Sequence, residues 1–179
     1  DLQNVTSTSN YILPENFNGI AFNVYSLRVM HLNVRSLPSK MDELKLLLGK
    51  LDALGAKLDI MLICETFIND LNKVNCQLDG YHLVERHRTN KKGGGVAIYI
   101  SNKLKYTPRP DIDIFIESQM ESCFIQLNLN EKKYIVGELY RVPGSDLESF
   151  ITHYESLITQ MQSENKTIIM GMDQNIDYL

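Results

Sequence analysis

The sequence lacks paired cysteines. Its 179 residues contain three, Cys64, Cys76 and Cys123, an odd count with no C-x-x-C spacing. That argues against a zinc cluster or a disulfide framework. The three thiols read instead as small buried hydrophobes of a reducing compartment. No apolar run approaches the ~20 residues a membrane span needs, and no basic-then-apolar leader opens the chain, so neither a membrane anchor nor a secretory signal is expected. Also missing are H-E-x-x-H, G-x-S-x-G and the kinase motifs. Gly93-Gly94-Gly95 is not part of a G-x-x-x-x-G-K-S/T run, so it is read as a tight turn rather than a phosphate loop.

What is present is ordinary in total and uneven in arrangement. The chain is 44% hydrophobic and 22% charged, with a net charge of -4, which suits a globular domain rather than a wholesale polyanion binder. From Arg86 to Arg109 there are seven bases (Arg86, Arg88, Lys91, Lys92, Lys103, Lys105, Arg109) and no acid; Asp111, Asp113, Glu117 and Glu121 then follow, with no base until Lys132. A local basic surface contacts phosphates even on an acidic protein. Arg86, Arg88, Lys91 and Lys92 are therefore candidate phosphate contacts, against the plainer reading of a solvated loop.

Residues 1–26 are rich in Asn, Ser and Thr and carry no Lys or Arg, which reads as a polar linker or disordered arm. The domain is expected over 27–179. Leu27 to Val34 reads as a strand. Ser39 with Asp42 is a candidate capping box, ahead of Leu44, Leu47, Leu48, Leu51 and Leu54 at helical spacing, and Gly55 closes the helix. Ile60 to Cys64 is a continuous apolar run, the mark of a strand covered on both faces, so these elements make a βαβ unit. Tyr81 to Glu85 and Val96 to Ser101 read as strands, and Cys123–Leu129 with Tyr134–Tyr140 reads as an antiparallel hairpin. Ser145 with Glu148 is a second candidate capping box, before a helix whose apolar face runs from Leu147 to Met161. Thr167 to Met170 is the last strand. The class is α/β (α+β), a mixed sheet with helices on its faces.

Polar residues gather at the strands' carboxyl ends, where open α/β sheets form their sites. The first strand runs into Asn33, the second ends at Glu65, the hairpin strand at Tyr140-Arg141 and the final one at Asp173-Gln174-Asn175. Converging carboxylates and amides suit a hard cation such as Mg²⁺, with Mn²⁺ as an alternative. Singly, each has a plainer reading: Asn33 or Asn175 as a turn residue, Glu65 as a cap, Asp173 as the polar stop of a strand, Tyr140 as core.

The runs Leu32-Asn33-Val34-Arg35-Ser36-Leu37, Ile63-Cys64-Glu65-Thr66, Gly93-Gly94-Gly95-Val96-Ala97-Ile98-Tyr99, Leu139-Tyr140-Arg141-Val142-Pro143 and Gly171-Met172-Asp173-Gln174-Asn175-Ile176-Asp177 occur in this order. As a set they resemble the endonuclease/exonuclease/phosphatase superfamily, and within it the AP-endonuclease-like domain of non-LTR (LINE-type) retrotransposon polyproteins. The resemblance implies a DNase I-like two-layer β-sandwich flanked by helices and Mg²⁺-dependent phosphodiester hydrolysis. It further implies nicking of target DNA to prime reverse transcription, with a reverse transcriptase domain on the same polyprotein and a nuclear site of action. By motif, Glu65 would bind the metal with Asn33 beside it as ligand or orienter. Tyr140 would contact the scissile phosphate, Asp173 would position or deprotonate water, and Asn175 would help hold the phosphate. Arg141 is added as a phosphate contact by its position alone.

Two departures from that pattern stand out. Met172 intervenes in the usual Gly-Asp-x-Asn run, so a small change in the turn is expected. The family's second half, with its closing Ser-Asp-His, is not in the chain, and His31, His82, His87 and His153 stand in none of its contexts. The expectation is therefore a C-terminally truncated domain with exposed sheet edges, prone to self-association. The alternatives are a catalytically dead fragment or nucleic-acid-binding module, or a phosphatase or phosphodiesterase of the same superfamily.

Overall fold

A computed structural model describes residues 26–176. The polar arm expected over 1–26 lies, apart from Ser26, outside the described residues, as do Asp177 to Leu179.

The elements follow in chain order as β1 (Val29–Asn33), α1 (Leu37–Ala53), β2 (Ile60–Cys64), a short 3-10 turn (Lys73–Cys76), β3 (Tyr81–Arg86), β4 (Val96–Ser101), β5 (Tyr106–Pro108), β6 (Phe115–Ile116), β7 (Met120–Leu129), β8 (Lys132–Arg141), α2 (Leu147–Ser163) and β9 (Thr167–Asp173). They form two sheets. One is ordered β1-β2-β4-β3; the other is β5-β7-β8-β9, with β6 also on β7. Each sheet holds one parallel pair, β1 with β2 and β8 with β9, and α1 and α2 are the crossovers a parallel connection requires. The remaining pairs are antiparallel.

Strand periodicity sorts the core into three layers. Ile60, Leu62 and Cys64 of β2 and Val96, Ile98 and Ile100 of β4 meet Cys123, Ile125, Leu127 and Val136 of the other sheet. The alternate residues Met61, Ile63, Ala97 and Tyr99 pack under Leu37, Met41 and Leu44 of α1. On the far side, Phe124, Ile135 and Leu139 pack with Phe150, Leu157 and Met161 of α2. The result is helix, sheet, sheet, helix. Full burial of an aliphatic side chain is worth roughly 1.5–3 kcal/mol, which is why β2, with five buried residues of five, is a central strand.

Both helices start where the sequence pattern misplaces them. α1 begins two residues before Ser39, with Ser36 at its N-cap and Pro38 in the first turn. The Ser39 hydroxyl donates to the Ser36 carbonyl at 2.8 Å, so Ser39 and Asp42 form no capping box. Instead the Ser36 and Leu37 N–H groups donate to the Glu65 and Thr66 carbonyls, both at 2.8 Å. For α2 the cap is Asp146, whose carboxylate accepts from Ser149 N–H at 2.6 Å, one residue past the expected Ser145–Glu148 pair. Leu47 and Leu54, expected on the buried face of α1, are 36% and 39% exposed. β5 and β6 carry too little periodicity to be read from sequence.

Candidate functional site

The inward-facing rows of four strands change character toward their carboxyl ends. On β1 the row reads Val29, His31, Asn33; on β2 Ile60, Leu62, Cys64; on β8 Val136, Glu138, Tyr140; on β9 Ile169, Gly171, Asp173. The ladders set these rows side by side, pairing His31 with Leu62 and Asn33 with Cys64, and Glu138 with Gly171 and Tyr140 with Asp173. The seam between the sheets is thus apolar at one end and increasingly polar toward the rim.

At the rim one amide joins two carboxylates. Asn33 Nδ2 donates to Glu65 Oε1 and to Asp173 Oδ2, each at 2.8 Å. Its Oδ1 accepts from the Arg35 N–H at 3.2 Å, which fixes the amide with its NH₂ toward the carboxylates. The Tyr140 hydroxyl donates to the same Glu65 oxygen at 3.3 Å. Burial, with the Glu65 carboxylate next, pushes the Tyr140 hydroxyl well above the usual phenol range. Glu65 itself takes a left-handed φ of 52°, a conformation a non-glycine residue holds only when its surroundings impose it. They do: its carbonyl accepts from Ser36, and the next two N–H groups, of Thr66 and Phe67, donate to the Gly95 and Gly94 carbonyls at 3.2 and 2.8 Å.

Asn33, Glu65, Tyr140 and Asp173 are therefore brought together. Arg141 and Asn175 form a separate lock beside them. Arg141 is 6% exposed; its guanidinium donates to the Asn175 carbonyl at 2.9 Å and to the Ser145 carbonyl, while Asn175 Nδ2 donates to the Arg141 carbonyl at 2.7 Å. Buried and multiply bonded, Arg141 braces the turn after β9 rather than offering a free fork to phosphate. The inserted Met172 is absorbed by extending β9 to Asp173, three residues past the expected end.

The basic run divides. Arg88 is not at the surface: its side chain is 8% exposed and ion-paired with fully buried Glu121. Arg109 is held by Asp111 and Glu164. Arg86 lies 5.3 Å over the Phe115 ring and 4.0 Å from Asp113. Lys91 and Lys92 are exposed and line a surface depression with Phe67, Ile68, Asn69 and Thr89, two residues along the chain from Glu65.

One group escapes sequence reasoning, which places His31 as a plain strand residue. His31 Nε2 meets Glu138 Oε1 at 3.0 Å, and Cys64 Sγ lies 3.9 Å from His31 Nε2 and 3.9 Å from Asp173 Oδ2. The Glu138 hydrogen bond raises the His31 pKa against the opposing effect of burial. Burial raises Glu138 in turn, and burial with the surrounding carboxylates pushes the Cys64 thiol far up. The signal that could have revealed it is Glu138 itself, a carboxylate inside the apolar run Ile135 to Leu139. The other two thiols are buried and free as expected.

The sequence profile of the Endonuclease/Exonuclease/phosphatase family matches residues 20–178. No curated protein matches significantly. Among solved structures, the endonuclease domain of TRAS1, a telomere-specific non-LTR retrotransposon, is similar at a TM-score of 0.60 and 16% identity, over 85% of this chain and 60% of that one. TDP2 of D. rerio complexed with a single-strand DNA product is similar at 0.56 and 13% identity, over 84% and 61%. A mannosyl-6-phosphatase of Bacteroides thetaiotaomicron is similar at 0.56 and 14% identity, over 85% and 66%. The chain thus spans less than two thirds of each, and at these identities the likeness establishes the shared two-sheet fold. Among the described residues, no helix is long and apolar enough to cross a membrane.

Proposed function

We propose, from the premise that this chain belongs to the Endonuclease/Exonuclease/phosphatase family, that it is a divalent-metal-dependent phosphodiesterase acting on DNA. Its role on this reading is to nick a target duplex so that the freed 3′-hydroxyl primes reverse transcription, with a reverse transcriptase domain on the same polyprotein and action in the nucleus. The observation that carries the reading is the shared amide: Asn33 holds Glu65 and Asp173, from opposite sheets, within 2.8 Å of one nitrogen.

Two carboxylates held this closely are a hard oxygen donor set that fits Mg²⁺ or Mn²⁺. Glu65 would hold the ion with Asp173 adjoining, and a bound ion supplies Lewis-acid polarisation of a phosphoryl oxygen. Asp173 orients the attacking water and accepts its proton. The Tyr140 hydroxyl, kept protonated by its surroundings, donates to a phosphoryl oxygen. Asn33 keeps the two carboxylates in register, Asn175 with Arg141 fixes the turn that carries Asp173, and Lys91 and Lys92 meet the DNA backbone near the rim. The similarity to the TRAS1 domain and to DNA-bound TDP2 supports DNA as substrate.

Nicking of supercoiled plasmid with Mg²⁺, and with EDTA in its place, tests this. Asp173→Asn should lower nicking about a hundredfold or more with unchanged circular dichroism. Nicking that survives EDTA or Asp173→Asn overturns the assignment. Faster turnover of phosphomonoesters than of plasmid moves the substrate to the phosphatase class, and DNA binding without cleavage moves the chain to a binding module.

A further inference from the structure

Glu138 is a carboxylate in the wrong place for an ordinary core residue. It is fully buried between the sheets, and among the described residues its Oε2 has no well-formed hydrogen bond, the Cys64 thiol acting as a weak donor to the carboxylate. Buried polar atoms without a partner are rare and call for an explanation. His31 accounts for Oε1 alone. The sequence has also cleared space for this carboxylate: a Cβ on Gly171, directly across the ladder, would overlap Glu138 Oε2 and crowd the His31 ring.

Three different donors converge there from three strands. His31 Nε2 of β1, Cys64 Sγ of β2 and a Glu138 oxygen of β8 all lie within 4.8 Å of one another. The separations are 3.0 Å for nitrogen to oxygen and 3.9 Å for sulfur to nitrogen. A four-coordinate zinc ion, with bonds of about 2.0 Å to nitrogen and oxygen and 2.3 Å to sulfur, sets its ligand atoms roughly 3.3–3.6 Å apart. These two distances bracket that range, and the third, from sulfur to the carboxylate oxygen, lies within 4.8 Å, so side-chain adjustments bring the three atoms into place.

We propose that His31, Cys64 and Glu138 form a binding site for a thiophilic divalent ion, Zn²⁺ fitting best, with a water as the fourth ligand. The mixed nitrogen, sulfur and oxygen set excludes Mg²⁺, which takes oxygen ligands, and suits a borderline ion. Binding requires the thiolate, so the Cys64 proton leaves to solvent as the Zn–S bond forms. The ion gives Glu138 Oε2 a partner and pins β1, β2 and β8, hence both sheets, at one point. The site uses none of Asn33, Glu65 and Asp173 and does not depend on the nuclease reading.

The test is titration of the chelator-treated full chain with Co²⁺, which reports thiolate ligation and four-coordination by its absorption. The expected result is one equivalent of Co²⁺ giving tetrahedral d–d bands and a thiolate-to-metal charge-transfer band, displaced by Zn²⁺ and unmoved by excess Mg²⁺. Cys64→Ser abolishes the charge-transfer band and Cys123→Ser leaves it. His31 is the partly exposed member of the set, so His31→Gln should fold normally; it weakens Co²⁺ binding by about a hundredfold or more, since even outer-shell changes cost up to that. A wild-type chain with no charge-transfer band overturns the proposal. So does a band that persists in Cys64→Ser, or one whose affinity ignores His31→Gln.

Discussion

Arg88 and Glu121 meet as a buried ion pair joining the β3–β4 loop to β7 of the opposite sheet. The second Glu121 oxygen accepts from the Gly95 N–H at 2.5 Å, and the Arg88 guanidinium lies where a side chain on Gly94 would stand. Gly93-Gly94-Gly95, all at positive φ, is thus a turn that lets a guanidinium lie flat on the backbone. The same turn supplies the carbonyls that hold Thr66 and Phe67, and through them the strained Glu65. Removing one partner of such a pair strands a buried charge. Arg88→Ala should lower stability by about 3–5 kcal/mol, read as a fall in the urea midpoint; a change under about 1 kcal/mol would mean that the pair is solvated.

Lys91 and Lys92 should behave oppositely, because they are exposed. Replacing both with Ala should leave the unfolding free energy within about 0.5 kcal/mol. It should also flatten the dependence of log affinity for DNA on log salt, reducing the slope by roughly 2, about one for each phosphate that a lysine neutralises. An unchanged slope places the DNA elsewhere.

Asn33→Asp should make the protein depend on divalent ions for stability. The variant loses an N–H donor to each of two carboxylates and adds a third negative charge between them. In EDTA it should be less stable than the parent by about 1–3 kcal/mol. Millimolar Mg²⁺ should recover more of that loss than it adds to the parent, as compared by thermal melts with and without the ion.

Asp113 gives the molecule a pH response. Burial raises its pKa from 3.8 to about 6 against the Phe124 N–H that donates to it. A group whose folded pKa lies above its unfolded value favours folding fully below the unfolded pKa, and that contribution is lost as pH rises through the folded one. Stability from this residue should therefore fall between about pH 4 and 6, by about 2 kcal/mol after allowance for solvent screening. Asp113→Asn keeps an acceptor for Phe124 and should remove that fall from urea midpoints measured across the window.

Much of the fold is legible in the sequence, for a physical reason. β2 and the β7–β8 hairpin announce themselves by apolar runs and alternation, because each is covered on at least one face. Asn33, Glu65, Tyr140 and Asp173 can be named because strand ends are where sites form, but their convergence on one amide depends on how two sheets pack, which spacing does not encode. The α1 start is misplaced because its N-terminus is tied to the Glu65 and Thr66 carbonyls, a tertiary contact, rather than capped by a side chain of its own. Arg88 reads as a surface base because its partner Glu121 lies 33 residues downstream. His31 and Glu138 stay hidden because a single polar residue in an apolar strand acquires meaning only beside its neighbour on another strand.

The two parallel pairs have a consequence for how the molecule fails. The sheets repeat one plan, β1-α1-β2 in the first and β8-α2-β9 in the second, and the rim residues are split between the two copies. Neither half contains the site. A slide of one sheet over the other by a single side-chain width would leave every strand ladder intact and still separate Asp173 from Glu65. The Asn33 amide, bonded to both, is a vernier on that alignment: the proposed cleavage should disappear on gentle heating before backbone structure does, while each half still looks folded.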